Sequence, residues 1–398
     1  MSARLPFWAA WSRLMVGIAL LLALGSQAHA CRVCLSGITI TPGQRLDSAA
    51  DAVLAVPLAN EGQFRVIEVI KGHATTDETI AQPGLSATKA EPTMSLDGPV
   101  LRQEPSSVSS GKPLLLVRDK LSEEWASIGA IDADHADWLR QFVATNRGGK
   151  SRPTKNWQQI ASMGSYLTDA EWGERLAVVA PYLEDTDALA AEIAYGELSR
   201  APYAAIRTLE PRLDATKIAT WIVDPRLASR LPAYTLLIGI AGGPDDANAL
   251  EQRIAAARSA RDATNLAAML AADIELRGPS RIEWLEQTYF ADRTRTLPEI
   301  EAALLALSVH GQADASVPRG RVVEAYRQFI RVRRPMAGFV AMELADWEAW
   351  EATADYVEII RSKGVKDPAG EFAILHYLRQ SPATTAEAAS LPSTSQPE

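Results

Sequence analysis

The chain has 398 residues, with 47% apolar residues, 22% charged residues and two cysteines. This composition is typical of a foldable, mildly acidic protein. Acidic residues outnumber basic residues by 49 to 40, which argues against nucleic-acid phosphate as the main binding partner. The chain is also too long for one hydrophobic core, so two or more domains are expected.

Residues 1–30 have the features of a cleaved secretory signal peptide. Arg4 and Arg13 are basic, an apolar run follows from Leu14 to Leu24, and Ala28-His29-Ala30 supplies small residues for cleavage. The apolar run is shorter than the roughly 20 residues that cross a bilayer, and no later segment is apolar enough for a transmembrane helix. We therefore expect a periplasmic or extracellular protein that begins at Cys31. A lipid anchor on Cys31 is a less favoured alternative, because lipoprotein signals resemble Leu-Ala-Gly-Cys.

The first part of the mature chain contains short β-type runs separated by Gly, Pro and Ser. The predicted strands are Ala52 to Leu58, Gln63 to Ile70, Pro113 to Val117 and Trp125 to Ile128. Apolar residues in the second run occur at both odd and even positions. This pattern predicts burial on both faces of the sheet and favours a small closed or nearly closed barrel.

Turn and helix signals complete this region. Five prolines between Pro83 and Pro113 predict a long surface loop. The pattern from Asp134 to Thr145 predicts a helix, and Asn146-Arg147-Gly148-Gly149 predicts its end and a linker. We therefore place a β domain at residues 31–147.

The region from 148 to 380 is predicted to be helical almost throughout. Breaks at Gly242-Gly243-Pro244, Gly278-Pro279, Gly311 and Asp346 recur every 33 to 36 residues. This even spacing favours an α-solenoid, in which each helix pair covers the apolar stripe of its neighbour. An irregular helical bundle is the alternative. Residues 381–398 contain almost no bulky apolar side chains and are predicted to be disordered.

Cys31 and Cys34 are the most distinctive chemical feature. A disulfide between them is expected in an oxidising compartment. A metal site would need a further ligand, from the Cys31 amine or a histidine, and a redox role would need a thiol of lowered pKa. All three interpretations remain open, and no cofactor other than this possible metal ion is predicted.

An acidic group lies at the start of the predicted helix. Asp132, Asp134, His135 and Asp137 offer three carboxylates and an imidazole that could hold a cation. Acidic residues in a first helical turn also cap free N–H groups and complement the helix dipole, and this second interpretation is favoured.

Opposite charges lie on two successive helices near the C-terminus. Arg327, Arg331 and Arg334 share one helix face and could form a partner-binding surface. Glu351, Asp355 and Glu358 share a face further on, so the two sets could instead attract each other across the stack.

Several segments together resemble known families. Cys31-Arg32-Val33-Cys34, Ala50-Asp51-Ala52-Val53 and the run from Phe64 to Gly72 are similar to the start of a netrin-module or metalloproteinase-inhibitor OB barrel. That resemblance implies inhibition through the Cys31 amine, although the family has Cys-x-Cys where this chain has Cys-x-x-Cys. The helical pattern resembles HEAT-like repeats. The whole chain is similar to uncharacterised exported bacterial proteins with an N-terminal CxxC.

The resulting expectation is an α+β chain with two domains, an OB-like β-barrel followed by an all-α HEAT-like solenoid. The sequence shows no Ser/His/Asp, Cys/His or metal-ligand set with suitable spacing. We therefore expect a non-catalytic interaction protein with a protein partner. A metal-binding or thiol-redox protein acting through Cys31 and Cys34 is the first alternative, and a metalloproteinase inhibitor is the second.

Overall fold

The computed structural model describes residues 40–60, 62–81, 112–120, 124–146 and 167–382. The predicted signal peptide, the Cys31-x-x-Cys34 segment, most of the Pro-rich loop and nearly all of the tail lie outside these ranges. The fold class is α+β, with an N-terminal antiparallel sheet followed by a mostly helical region. No helix in the described ranges combines the length and apolarity that a bilayer crossing requires.

Helix α1 and five strands form the N-terminal part. Their bounds are α1 Pro42–Ser48, β1 Asp51–Pro57, β2 Gln63–Lys71, β3 Thr79–Ala81, β4 Leu114–Arg118 and β5 Trp125–Ala130. The four predicted strands are confirmed, whereas β3 and α1 were not predicted. Thr41 begins α1 with a capping box, in which its hydroxyl accepts from the Gln44 amide and the Gln44 side chain accepts from the Thr41 amide.

The sheet is open, so the prediction of a closed or nearly closed barrel was wrong. The strand order is β3-β2-β1-β4-β5, and in the described part of the chain β3 and β5 are edges that do not pair with each other. Each face carries its own apolar cluster: Ala52 and Leu54 of β1 join the cluster shared with the helices, and Val53 and Ala55 join a second one. Two-sided burial therefore arises from two separate clusters and needs no closure.

The helical region contains fourteen described α-helices after the sheet. They are α2 Ala136–Ala144, α3 Asp169–Val179, α4 Ala188–Arg200, α5 Tyr203–Arg207, α6 Ala215–Ile222, α7 Leu231–Ala241, α8 Pro244–Ala260, α9 Leu266–Arg277, α10 Arg281–Leu285, α11 Leu297–Ala313, α12 Arg319–Val332, α13 Ala341–Asp346, α14 Thr353–Arg361 and α15 Pro368–Gln380. Six short 3₁₀ turns and a π-helical turn at Glu286–Ala291 connect them.

Successive helices pack in a regular order. Helix α7 lies along α9, α9 lies along α11, and α13 lies along α15. Helices α6, α8, α12 and α14 pack against α7, α9, α11 and α15, respectively. One continuous apolar core runs from Leu46 and Leu54 at the sheet to Leu378 in α15. The sheet and the helices therefore share buried surface, which positions the charged clusters described below.

The predicted helix breaks are confirmed at three of four places. Gly242 and Gly243 separate α7 from α8, Gly278 separates α9 from α10, and Asp346 ends α13. Gly311 is the exception, because it lies buried inside α11. A side chain there would collide with the Trp347 indole, so this glycine marks a close helix contact.

Candidate functional site

A buried charged cluster lies where the sheet meets the helices. The guanidinium of Arg175 in α3 is fully buried, and it donates to Glu197 Oε2 in α4 at 2.6 Å and to Asp47 Oδ2 in α1 at 2.7 Å. It also donates to Thr145 Oγ1 at 3.0 Å and lies 3.9 Å from the centroid of the Phe142 ring. One side chain therefore joins α1, α3, α4 and the end of α2.

The two carboxylates of this cluster differ in their ionisation. Burial raises the pKa of Asp47 to about 6, although Arg175 acts in the opposite direction. Burial also acts to raise the pKa of Glu197, but Arg175 and Arg200 together lower it below its ordinary value. Arg200 donates to the second oxygen of Glu197 at 2.9 Å. Glu197 is therefore the permanent anion of the cluster, and Asp47 is its titrating member.

A second charged cluster contains two of the predicted cation ligands. Asp132 Oδ2 and Asp187 Oδ2 accept from Lys112 Nζ at 2.8 and 3.1 Å. An oxygen of each carboxylate and a nitrogen of His135 lie within 4.8 Å of one another. The neighbouring acids of the sequence prediction lie elsewhere: Asp134 is in the 3₁₀ turn, and Asp137 pairs with Arg140.

The ammonium of Lys112 already binds both carboxylates that a cation would need. Asp187 Oδ1 caps α4 by accepting from the Leu189 and Ala190 amides, and its Oδ2 also accepts from the Asp132 amide. All the acceptor capacity of Asp187 is therefore in use within the protein. The favoured capping interpretation was wrong for Asp132, whose side chain makes no capping hydrogen bond. These ion pairs connect the sheet to the start of α4.

Replacing Lys112 with methionine is expected to lower the unfolding free energy by about 1 kcal/mol. Asp187 loses its counter-charge in a buried position, while the partial exposure of Lys112 screens part of the effect. Chemical denaturation at pH 7 measures the change. Lys366→Met is the matched control at an exposed position. Equal stability of the two variants would show that the ion pairs of Lys112 do not stabilise the fold.

His310 is the most deeply buried histidine of the described chain. Its Nε2 donates to the Ala271 carbonyl at 2.9 Å, its Nδ1 lies 3.6 Å from Glu275 Oε2, and Tyr203 packs edge-on against the ring. Burial lowers the pKa of His310 below its ordinary value. This histidine is therefore neutral at pH 7 and links α11 to α9.

His310 is expected to make the fold sensitive to acid. Because its pKa is lower in the folded state, the unfolded chain binds the proton first, and stability falls as the pH drops below about 6.5. The slope expected from this group is about 1.4 kcal/mol per pH unit until the folded pKa is reached. Urea unfolding of wild type and His310→Gln between pH 7 and pH 5 measures the contribution of His310 to this slope. His376→Gln is the control. Identical pH slopes for wild type and His310→Gln would refute the assignment.

The three arginines predicted to bind a partner lie beside α14. Arg327 and Arg331 pair with Asp355 at 3.4 and 3.0 Å, and Arg334 pairs with Glu358 at 2.7 Å. The attraction across the stack that the sequence offered as an alternative is therefore present. About half of the Arg331 and Arg334 side chains remains exposed, so both can still contact a partner.

A groove of about 720 Å³ follows the surface of α14 next to these arginines. We call it the α14 groove. Both apolar and charged side chains line it, among them Trp350, Glu351, Ala354, Val357, Glu358 and Arg361. The centroid of the Trp350 ring lies 5.1 Å from that of Tyr377 in α15, and this contact orients the indole in the groove. Sequence patterns did not predict this groove.

Comparisons with known proteins give no relative. A scan against protein-family models, a search of curated proteins and a search of solved structures each found no match. Cys31 and Cys34 lie outside the described residues, so their disulfide, metal and redox interpretations stay predictions.

Proposed function

We propose that this is an exported, non-catalytic interaction protein whose helices form a HEAT-like solenoid. The observation that carries the proposal is the stacking order of the helices. Helices α7, α9 and α11 pack in sequence, and they also pack against α6, α8 and α12, respectively. The first turns of these three helices also line one cavity, which requires their N-termini to lie at the same edge. Such arrays present an extended surface for protein partners.

The N-terminal sheet supports an open OB-like unit within this proposal. Strand β1 pairs with both β2 and β4, and the five antiparallel strands leave their edges unjoined in the described part. OB folds are five-stranded and partly open, so this arrangement is compatible with the resemblance drawn from the sequence.

The α14 groove is the proposed contact site for the partner. It offers Trp350 and Val357 to an apolar anchor, and aromatic pockets of this kind are where binding energy concentrates. Glu351 and Glu358 add negative charge to its lining, while Arg361 adds a positive charge. The partner is therefore an amphipathic protein segment with an apolar anchor flanked by charged residues of both signs.

Filling the groove tests this function. Ala354 is exposed in the groove and Ala256 is exposed on α8, so Ala354→Arg and Ala256→Arg make the same change at two helical surfaces. Tagged versions are purified after mild cross-linking in the native exported fraction. The proposal predicts a stoichiometric protein partner with wild type and Ala256→Arg, and loss of most of it with Ala354→Arg. Equal recovery with both variants would reject the groove as the contact site.

A further inference from the structure

Helix α1 is attached to the protein in an unusually polar way. Leu46 is its one large buried aliphatic side chain, and the rest of the seven-residue helix is polar or small. Arg45 Nη2 donates to the Ser127 carbonyl of β5 at 3.3 Å, and Lys71 Nζ of β2 donates to the Asp47 carbonyl at 2.7 Å. A helix with so little apolar burial depends on its polar contacts to stay docked.

Helices α1 and α4 approach each other through two glycines. A side chain on Gly43 of α1 would collide with the Glu197 carboxylate, and one on Gly196 of α4 would come within 3.0 Å of Thr41 Cβ. The docked position is therefore sterically defined. It also places the Asp47 carboxylate directly beside the Arg175 guanidinium.

All the charged groups that face Asp47 belong to the elements that surround it. They are Arg175 of α3, Glu197 and Arg200 of α4 and Lys71 of β2. Within the described residues, Asp47 Oδ1 is buried and has no hydrogen-bond partner, although Oδ2 binds Arg175. A half-satisfied buried carboxylate is costly when ionised, so ionisation weakens the docking.

We propose that α1 is a pH-sensitive latch, held on α3 and α4 through Asp47 and Arg175, and that ionisation of Asp47 increases its opening.

The direction of the pH effect follows from the two states of Asp47. In the docked state burial raises the pKa of Asp47 to about 6, and in the released state the carboxyl has its ordinary value near 3.8. The docked state therefore binds the proton more tightly, and docking weakens as the pH rises from about 4 to about 6. The expected change in the docking equilibrium is about tenfold between pH 5 and pH 7.

Hydrogen exchange of the intact mature chain tests the latch. Protection factors of amides in Gly43–Ser48 are measured at pH 5 and pH 7 after correction for the intrinsic exchange rate. Wild type is expected to lose about tenfold in protection at pH 7. Asp47→Asn keeps an acceptor for Arg175 but cannot ionise, so its protection should not change with pH. Asp214→Asn, at the cap of α6, should behave as wild type.

Amides within Leu189–Leu198 of α4 separate local opening from global unfolding. A local opening of α1 gives its amides a lower protection factor than those of α4 at both pH values, and wild type alone shows this difference. The proposal is overturned if α1 and α4 have the same protection factors at both pH values, if α1 protection in wild type does not depend on pH, or if Asp47→Asn retains the tenfold change.

Discussion

Replacing Arg175 with methionine is expected to lower the free energy of unfolding by about 3–5 kcal/mol. The substitution removes the guanidinium that pairs with Glu197, and it leaves that carboxylate fully buried with only Arg200 as a charged partner. The hydroxyl of Thr145 and the partly buried carboxylate of Asp47 lose a donor at the same time. Breaking a buried pair from one side is costly because the remaining charge stays desolvated.

Urea unfolding at pH 7 measures this loss, and Arg226→Met is its control. Arg226 also forms an ion pair with an aspartate, Asp224, but its side chain is almost fully exposed. Exposed pairs contribute little, so Arg226→Met should unfold as wild type does. Similar stability of Arg175→Met and wild type would show that the packing of α1, α2, α3 and α4 does not depend on this cluster.

The second large effect is expected from Gly239 in the middle of α7. An added Cβ would lie 2.7 Å from Ala272 Cα and 2.8 Å from its Cβ, so α7 and α9 would have to move apart. Gly239→Ala should therefore destabilise the protein by about 2 kcal/mol, although alanine favours helices. Thermal or urea unfolding gives the change.

Gly320 provides the matched control for Gly239. It also lies in a helix, α12, but an added Cβ would contact nothing within 4 Å. Gly320→Ala should therefore stabilise the protein by about 0.5–1 kcal/mol through helix propensity alone. If both glycine variants stabilise the protein, α7 and α9 do not pack as closely as described, and the stacked array would need revision.

Local sequence patterns predicted most helices and strands, but they did not predict that the sheet stays open. The four strands from Ala52 to Ile128 followed from apolar runs and turn residues, and three helix breaks followed from Gly, Pro and Asp positions. The barrel prediction failed because apolar residues at both odd and even strand positions do not distinguish a closed barrel from an open sheet that carries an apolar cluster on each face. The capping box at Thr41 and Gln44, with Pro42 after the cap, could have predicted α1.

The charged clusters could not be predicted from local sequence. Asp47, Arg175 and Glu197 lie far apart in the chain, and nothing near any of them indicates a partner. Asp132 and His135 were predicted as possible ligands, but Lys112 and Asp187 come from distant segments. The pairing of Arg327 and Arg331 with Asp355 was the easier case, because opposite charges on neighbouring helices are expected to meet.

Site-specific photo-cross-linking inside the native host tests the proposed function most directly. A photoreactive amino acid replaces Ala354 in the α14 groove or Ala256 on α8, and adducts are analysed after irradiation of intact cells. The interaction proposal predicts one saturable protein adduct from position 354, reduced by excess unlabelled protein, and none from position 256. No adduct at position 354, or the same adducts from both positions, would contradict it.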